Sequence, residues 1–178
     1  MKRMLVAALA VALFAGAAEA QRPVKFAVGG GLSGVAGDAK QSVDAGYHVM
    51  GAVDVGVPIL PLGFRVDAAY NSFKGKEELT AGVVPSLRVV SGTANVTMNV
   101  IPLPIVKMYL IGGAGIYNAK ADVDGAEATN RFGYNAGAGL RFDLAGFGTF
   151  LEARYHLVPE SDTDAKMQII PVTLGFRF

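Results

Sequence analysis

The chain has 178 residues, 52% of them hydrophobic and 17% charged, with a formal charge of +1. It is too apolar for a disordered protein and too short for more than one substantial domain. With no cysteine and two histidines, disulfide scaffolds, thiolate metal sites and thiol nucleophiles are excluded and a zinc centre or His-based triad is poorly supplied, while near-neutral charge gives no case for nucleic acid.

Residues 1–20 have the anatomy of an export signal. Lys2 and Arg3 form a short positive region, Met4 to Gly16 is apolar, and Ala18-Glu19-Ala20 offers small residues at the two positions a signal peptidase reads. Cleavage between Ala20 and Gln21 is expected, leaving residues 21–178 as the mature domain. That chain holds 14 basic and 14 acidic residues and is formally neutral. The apolar run is shorter than the roughly 20 residues of a spanning helix, and no later stretch reaches that length.

The mature chain reads as eight strands. Val24 to Val35 is the first, Gly-rich, with a facing that the residues do not assign. In the second, Val49, Val53, Val55 and Val57 oppose His48, Met50, Ala52 and Asp54. In the third, Phe64, Val66, Ala68 and Tyr70 oppose Arg65, Asp67, Ala69 and Asn71. The fourth sets Val90, Ala94, Val96, Met98 and Val100 against Ser91, Thr93, Asn95, Thr97 and Asn99. Lys107 to Ala121 is the fifth, again Gly-rich and without an assigned facing. The sixth alternates over thirteen residues from Phe132 to Leu144, with Gly133, Asn135, Gly137, Gly139, Arg141 and Asp143 on the polar or small face. The seventh, Thr149 to Leu157, places Glu152, Arg154 and His156 opposite Leu151, Ala153, Tyr155 and Leu157. The eighth runs through Ile170, Val172, Leu174, Phe176 and Phe178, opposed by Thr173, Gly175 and Arg177. This is period two throughout, and helical periodicity is absent after Ala20.

The connections alternate in length. Pro58–Leu62, Pro102–Val106 and Ala145–Gly148 are short. Ala36–Ala45, Gly75–Ser86, Asp122–Asn130 and Pro159–Ala165 are longer and polar. The expected fold is all-β: an eight-stranded antiparallel up-and-down barrel. Three features turn its apolar face toward lipid. Full charges of both signs (Arg65, Asp67, Arg141, Asp143, Glu152, Arg154 and Arg177) share the minority face, where they are expected to form a lumen ion network. Aromatics on the apolar face lie toward strand ends, as in interfacial girdles. Strands of about 9 to 13 residues match a tilted bilayer crossing.

Phe132-Gly133-Tyr134-Asn135-Ala136-Gly137-Ala138-Gly139-Leu140-Arg141-Phe142 resembles the strand signature of small bacterial outer-membrane barrels of the OmpA/OmpX-like superfamily. So do Tyr109-Leu110-Ile111-Gly112-Gly113-Ala114-Gly115 and the ending Leu174-Gly175-Phe176-Arg177-Phe178. The resemblance spans the mature chain and is to the barrel alone, without the peptidoglycan-binding domain of full-length OmpA proteins. A girdle without tryptophan departs from most relatives. The resemblance implies an outer-membrane location, contact with outer-membrane lipids, and passage through the barrel assembly machinery, with Phe176 and Phe178 as the assembly signal. It implies a structural or surface-interaction role with an unknown surface ligand.

Other constellations carry less. Gly29-Gly30-Gly31-Leu32-Ser33-Gly34 fits a dinucleotide fingerprint, but a loop rather than a helix follows. Glu152, Arg154 and His156 share a face, yet no serine stands beside His156 on its own strand. Asp122-Val123-Asp124-Gly125 begins like a calcium loop and lacks the closing ligand. Asn95-Val96-Thr97 fits a glycosylation triplet inside a strand. The expectation is a non-enzymatic barrel with no catalytic, metal or cofactor residues. The alternatives are a small-solute pore, a lipid-modifying barrel enzyme and a soluble periplasmic lipocalin-like barrel.

Overall fold

The computed structural model describes residues 24–37, 44–57, 60–75, 86–102, 106–122, 125–144, 147–159 and 166–178. The expected signal peptide with its Ala20/Gln21 junction lies outside them, as do Val123-Asp124 and the acidic tip 160–164. Eight strands follow in chain order: β1 (Val24–Ala36), β2 (Gly46–Gly56), β3 (Leu62–Phe73), β4 (Leu87–Pro102), β5 (Val106–Ala121), β6 (Thr129–Leu144), β7 (Phe147–Pro159) and β8 (Lys166–Arg177). Each pairs antiparallel with its sequence neighbours, and β1 pairs with β8, so the sheet closes on itself. Closure removes the two free edges that an open sheet would present.

The alternation seen in the sequence becomes an inside and an outside. In β2, His48, Met50, Ala52 and Asp54 are buried, while Tyr47, Val49, Val53 and Val55 are exposed. In β3, Arg65, Asp67 and Asn71 are buried, while Phe64 and Val66 face out. Outward aromatics gather toward both strand ends. Phe26, Phe64 and Phe176 lie near the short connections, and Tyr47, Phe132 and Tyr134 near the long ones. An apolar band between two aromatic belts is the outer surface of a bilayer-spanning barrel.

The two strands whose facing the sequence left open are now placed. β1 buries Ala27 and Ser33, and β5 buries Tyr109, Ile111 and Tyr117. Inward glycines on β6 and β8 make room for rings in the lumen. Tyr109 is paired with Gly139, where an added Cβ would stand 2.4 Å from the tyrosine Cζ. Phe150 lies likewise over Gly175, where a Cβ would come within 2.4 Å of the ring. A ring packed over a glycine on the adjacent strand fills the lumen without pushing the wall outward.

The interior is not polar along its whole length. Phe73, Val89, Tyr117, Val158 and Ile169 form a buried apolar cluster, with Val35, Leu87, Ala119 and Met167 packed against it. These residues sit near the strand ends that lead into the long connections. There the chain turns apolar side chains inward on several adjacent strands.

Candidate functional site

The lumen is where the charged side chains converge. Asp54 on β2 and Arg65 on β3 are cross-strand partners. Arg65 grips Asp54 with two parallel bonds, Nε to Oδ1 at 2.7 Å and Nη2 to Oδ2 at 3.0 Å. Its Nη1 crosses to β7 and donates to Glu152 Oε2 at 2.8 Å. Glu152 also accepts from Arg154 Nε at 2.6 Å and from the Tyr109 hydroxyl at 2.5 Å. Arg154 returns across the lumen to Asp67 on β3, Nη1 to Oδ2 at 2.9 Å. Thr93 and Asn95 on β4 donate to the same carboxylate. From β8, Arg177 Nε donates to Asp54 at 3.0 Å.

Three carboxylates and three guanidiniums thus form one neutral network joining β2, β3, β4, β5, β7 and β8. Arg65 and Glu152 are at 0% and 1% side-chain exposure, where unpaired charge is prohibitive and paired, hydrogen-bonded charge persists. The flat arginine fork suits this role because it meets two carboxylates in fixed directions. Arg65 also lies 5.5 Å from the Phe150 ring centroid and 5.9 Å from that of Tyr109.

Five of the seven charges named from the sequence, Arg65, Asp67, Glu152, Arg154 and Arg177, belong to this network. Asp143 stands outside it and accepts from Lys107 at 2.9 Å. Arg141 is separate again. Its guanidinium lies 3.9 Å from the Tyr109 ring centroid, and its Nη1 donates to Asn99 Oδ1 at 3.3 Å. Asp54 and Tyr109 were not among the residues expected to form the network. Asp54 carried a signal, being a carboxylate on the polar face of the strand before Arg65; Tyr109 sat on a strand of undetermined facing.

Beyond the ion network toward the long connections lies a polar layer. Ser33 Oγ donates to Asn71 Oδ1 at 2.7 Å and lies 3.2 Å from His48 Nδ1. His48 Nε2 is 2.8 Å from Thr173 Oγ1, and the Tyr117 hydroxyl is 2.8 Å from His156 Nδ1. A cavity of about 20 Å³ between them is lined by both histidines, Asp67, Asn71 and Arg154, room for roughly one or two waters. The serine with a histidine partner is therefore Ser33 with His48, on different strands from Glu152. Its hydroxyl proton is directed at Asn71, and Ser33 is fully buried. Among the described residues no group of three or more His, Asp or Glu is arranged to hold a metal ion.

At the short-connection end the lumen opens into a vestibule of about 230 Å³. Its charged lining is Lys25, Lys107, Arg141 and Arg177 with Asp54 and Asp143.

The chain matches the family model for the outer membrane protein beta-barrel domain over residues 5–178. Its fold is similar to that of Neisserial surface protein A, with a TM-score of 0.69 at 14% identity, covering 87% of this chain and 96% of that one. It is also similar to Ail, the attachment invasion locus protein of Yersinia pestis, with a TM-score of 0.54 at 20% identity over 89% of this chain and all of that one. The N-terminal barrel of Pseudomonas aeruginosa OprF follows with a TM-score of 0.54 at 12% identity, covering 88% and 98%. No curated protein matches the chain by sequence.

Proposed function

Because the chain belongs to the outer membrane protein beta-barrel family and resides in the bacterial outer membrane, we propose that it is a closed, non-enzymatic barrel with a structural or surface-interaction role. The observation that carries this reading is the pair of ion bridges spanning the lumen, Arg65 to Glu152 and Arg154 to Asp67, backed by the apolar cluster at the long-loop end. Side chains that meet across the bore leave no path for a hydrated solute. The long connections face the cell exterior and present the interaction surface, while the short turns and both termini face the periplasm. Two of its structural neighbours bear names of surface work, one as a surface protein and one as an attachment locus protein, which supports this orientation of effort. Phe176 and Phe178 act as the signal for the assembly machinery, and a cleaved leader delivers the chain to it.

The test is conductance. Purified barrel reconstituted in planar bilayers is expected to give no stable single-channel steps. Steady, reproducible openings of the unmodified protein would replace this reading with that of a small-solute pore.

A further inference from the structure

We propose that the short-turn vestibule binds a phosphate-class oxyanion on Arg141. Every other arginine facing the described lumen at this end is matched to a carboxylate: Arg65 and Arg177 to Asp54, Arg154 to Asp67 and Glu152. Arg141 is 5% exposed, pairs with no carboxylate among the described residues, and has Nε and Nη2 buried without a partner. Those two atoms share one edge of the guanidinium plane. Their N–H bonds run parallel and form the fork that receives two oxygens of a phosphate or carboxylate. Asn99, beside an irregularity in β4, occupies the remaining side through Nη1, and the Tyr109 ring backs the plane.

The surroundings fix the sign and size of the ligand. Four cationic side chains and two carboxylates line the vestibule, and both carboxylates are already engaged, Asp54 by Arg65 and Arg177, Asp143 by Lys107. None of the three short connections contains an acidic residue. The excess of two positive charges matches a phosphate group, which carries about −1.5 to −2 as a monoester at neutral pH. A volume of about 230 Å³ admits such a group with water. Free inorganic phosphate and the phosphodiester of a phospholipid headgroup, which carries a single negative charge, both offer the two oxygens the fork takes, and the apolar rim residues Leu62 and Phe64 leave room for the second.

The experiment is a titration of the full mature chain refolded in phosphate-free neutral detergent, read by the ¹H–¹⁵N correlations of the arginine Nε–H groups. Inorganic phosphate and short-chain phosphatidylglycerol are added in separate arms, with chloride as the control. A saturable shift of the Arg141 Nε–H is expected in at least one phosphate arm and none with chloride; which arm saturates identifies the source. Arg141→Gln, checked for folding by heat-modifiable mobility, is expected to weaken binding at least about tenfold, and Arg141→Lys to weaken it too by removing the fork. The proposal is overturned if neither phosphate source moves Arg141 in the unmodified protein, or if Arg141→Gln binds as tightly. The titration of the unmodified protein decides the matter even where a variant does not fold, and its outcome is independent of whether the lumen conducts.

Discussion

Arg65 on β3 and Glu152 on β7 meet across the bore, Nη1 to Oε2 at 2.8 Å, although the two strands share no edge of the sheet. The contact ties opposite walls together, and both side chains are withdrawn from solvent. Its removal has a definite signature. Glu152→Ala leaves Arg65 and Arg154 short of a counter-charge and is expected to cost about 3–5 kcal/mol of unfolding free energy. The pair Arg65→Gln with Glu152→Gln is expected to cost less than its singles combined, with a coupling of about 0.5–3 kcal/mol. Reversible unfolding in detergent measures both. Strict additivity would show that the two charges are solvated independently.

Arg141 provides the contrast on the same face of the barrel. Arg65→Gln removes a cation with two carboxylate partners, whereas Arg141→Gln removes one with none. In phosphate-free detergent the first is expected to destabilise by roughly 3 kcal/mol or more, and the second to be neutral or stabilising, because burying an unpaired charge is itself unfavourable. Equal losses in the two unfolding midpoints would contradict the assignment of Arg141 as unmatched.

Gly139 tests the packing of rings over glycines. An added Cβ would stand 2.4 Å from Tyr109 Cζ and 2.5 Å from its hydroxyl oxygen. Gly139→Ala must therefore move the tyrosine off Glu152, and the expected cost is about 1–3 kcal/mol. Tyr109→Phe loses the hydroxyl but keeps the ring, so the glycine change should remain harmful in that background. An alanine there with no loss of stability would mean the ring moves freely.

Topology is tested by single cysteines in a chain that has none of its own. Reagents that do not cross the membrane should label Glu78→Cys and Asp162→Cys on intact cells. They should reach Leu103→Cys and Ala145→Cys only after lysis. The opposite pattern would invert the orientation proposed above.

Phe178 meets Phe26 through both its backbone and its ring. Its backbone pairs with Phe26 in both directions, at 2.7 and 2.9 Å, and the two rings stack with centroids 6.4 Å apart. Phe178→Ala keeps the backbone pairing and removes the aromatic, whereas deletion removes both. If the ring is the assembly signal, both variants should accumulate in the periplasm. If only the seam matters, Phe178→Ala should reach normal heat-modifiable levels in the outer membrane.

Much of this architecture is legible in the residues because one face of each strand is apolar and the other polar. His48, Asp54, Arg65 and Asp67 needed only the period-two rule to be set inward. β1 and β5 resisted it because Gly29, Gly30, Gly31, Gly112, Gly113 and Gly115 carry no polarity on either face. The apolar cluster was hidden for a different reason. Val89 and Val90, Leu157 and Val158, and Ile169 and Ile170 are adjacent apolar pairs that alternation reads equally well in either direction. The partner choices in the lumen lie beyond any strand-by-strand reading. Arg154 sits two residues from Glu152, yet its second carboxylate is Asp67, 87 positions away. Only closure of the sheet brings them within reach.

The pairing of β1 with β8 also has a consequence in time. These strands are the first and last of the eight, so the final hydrogen-bond ladder joins segments that nearly the whole intervening chain separates. Contacts of such long sequence separation form slowly. Until β8 is delivered, a chain that has already paired β1 through β7 exposes two raw edges and a row of lipid-seeking valines and leucines to water, the state most prone to associate with its own copies. A barrel of this plan is therefore most exposed to self-association in the interval before its first and last strands meet.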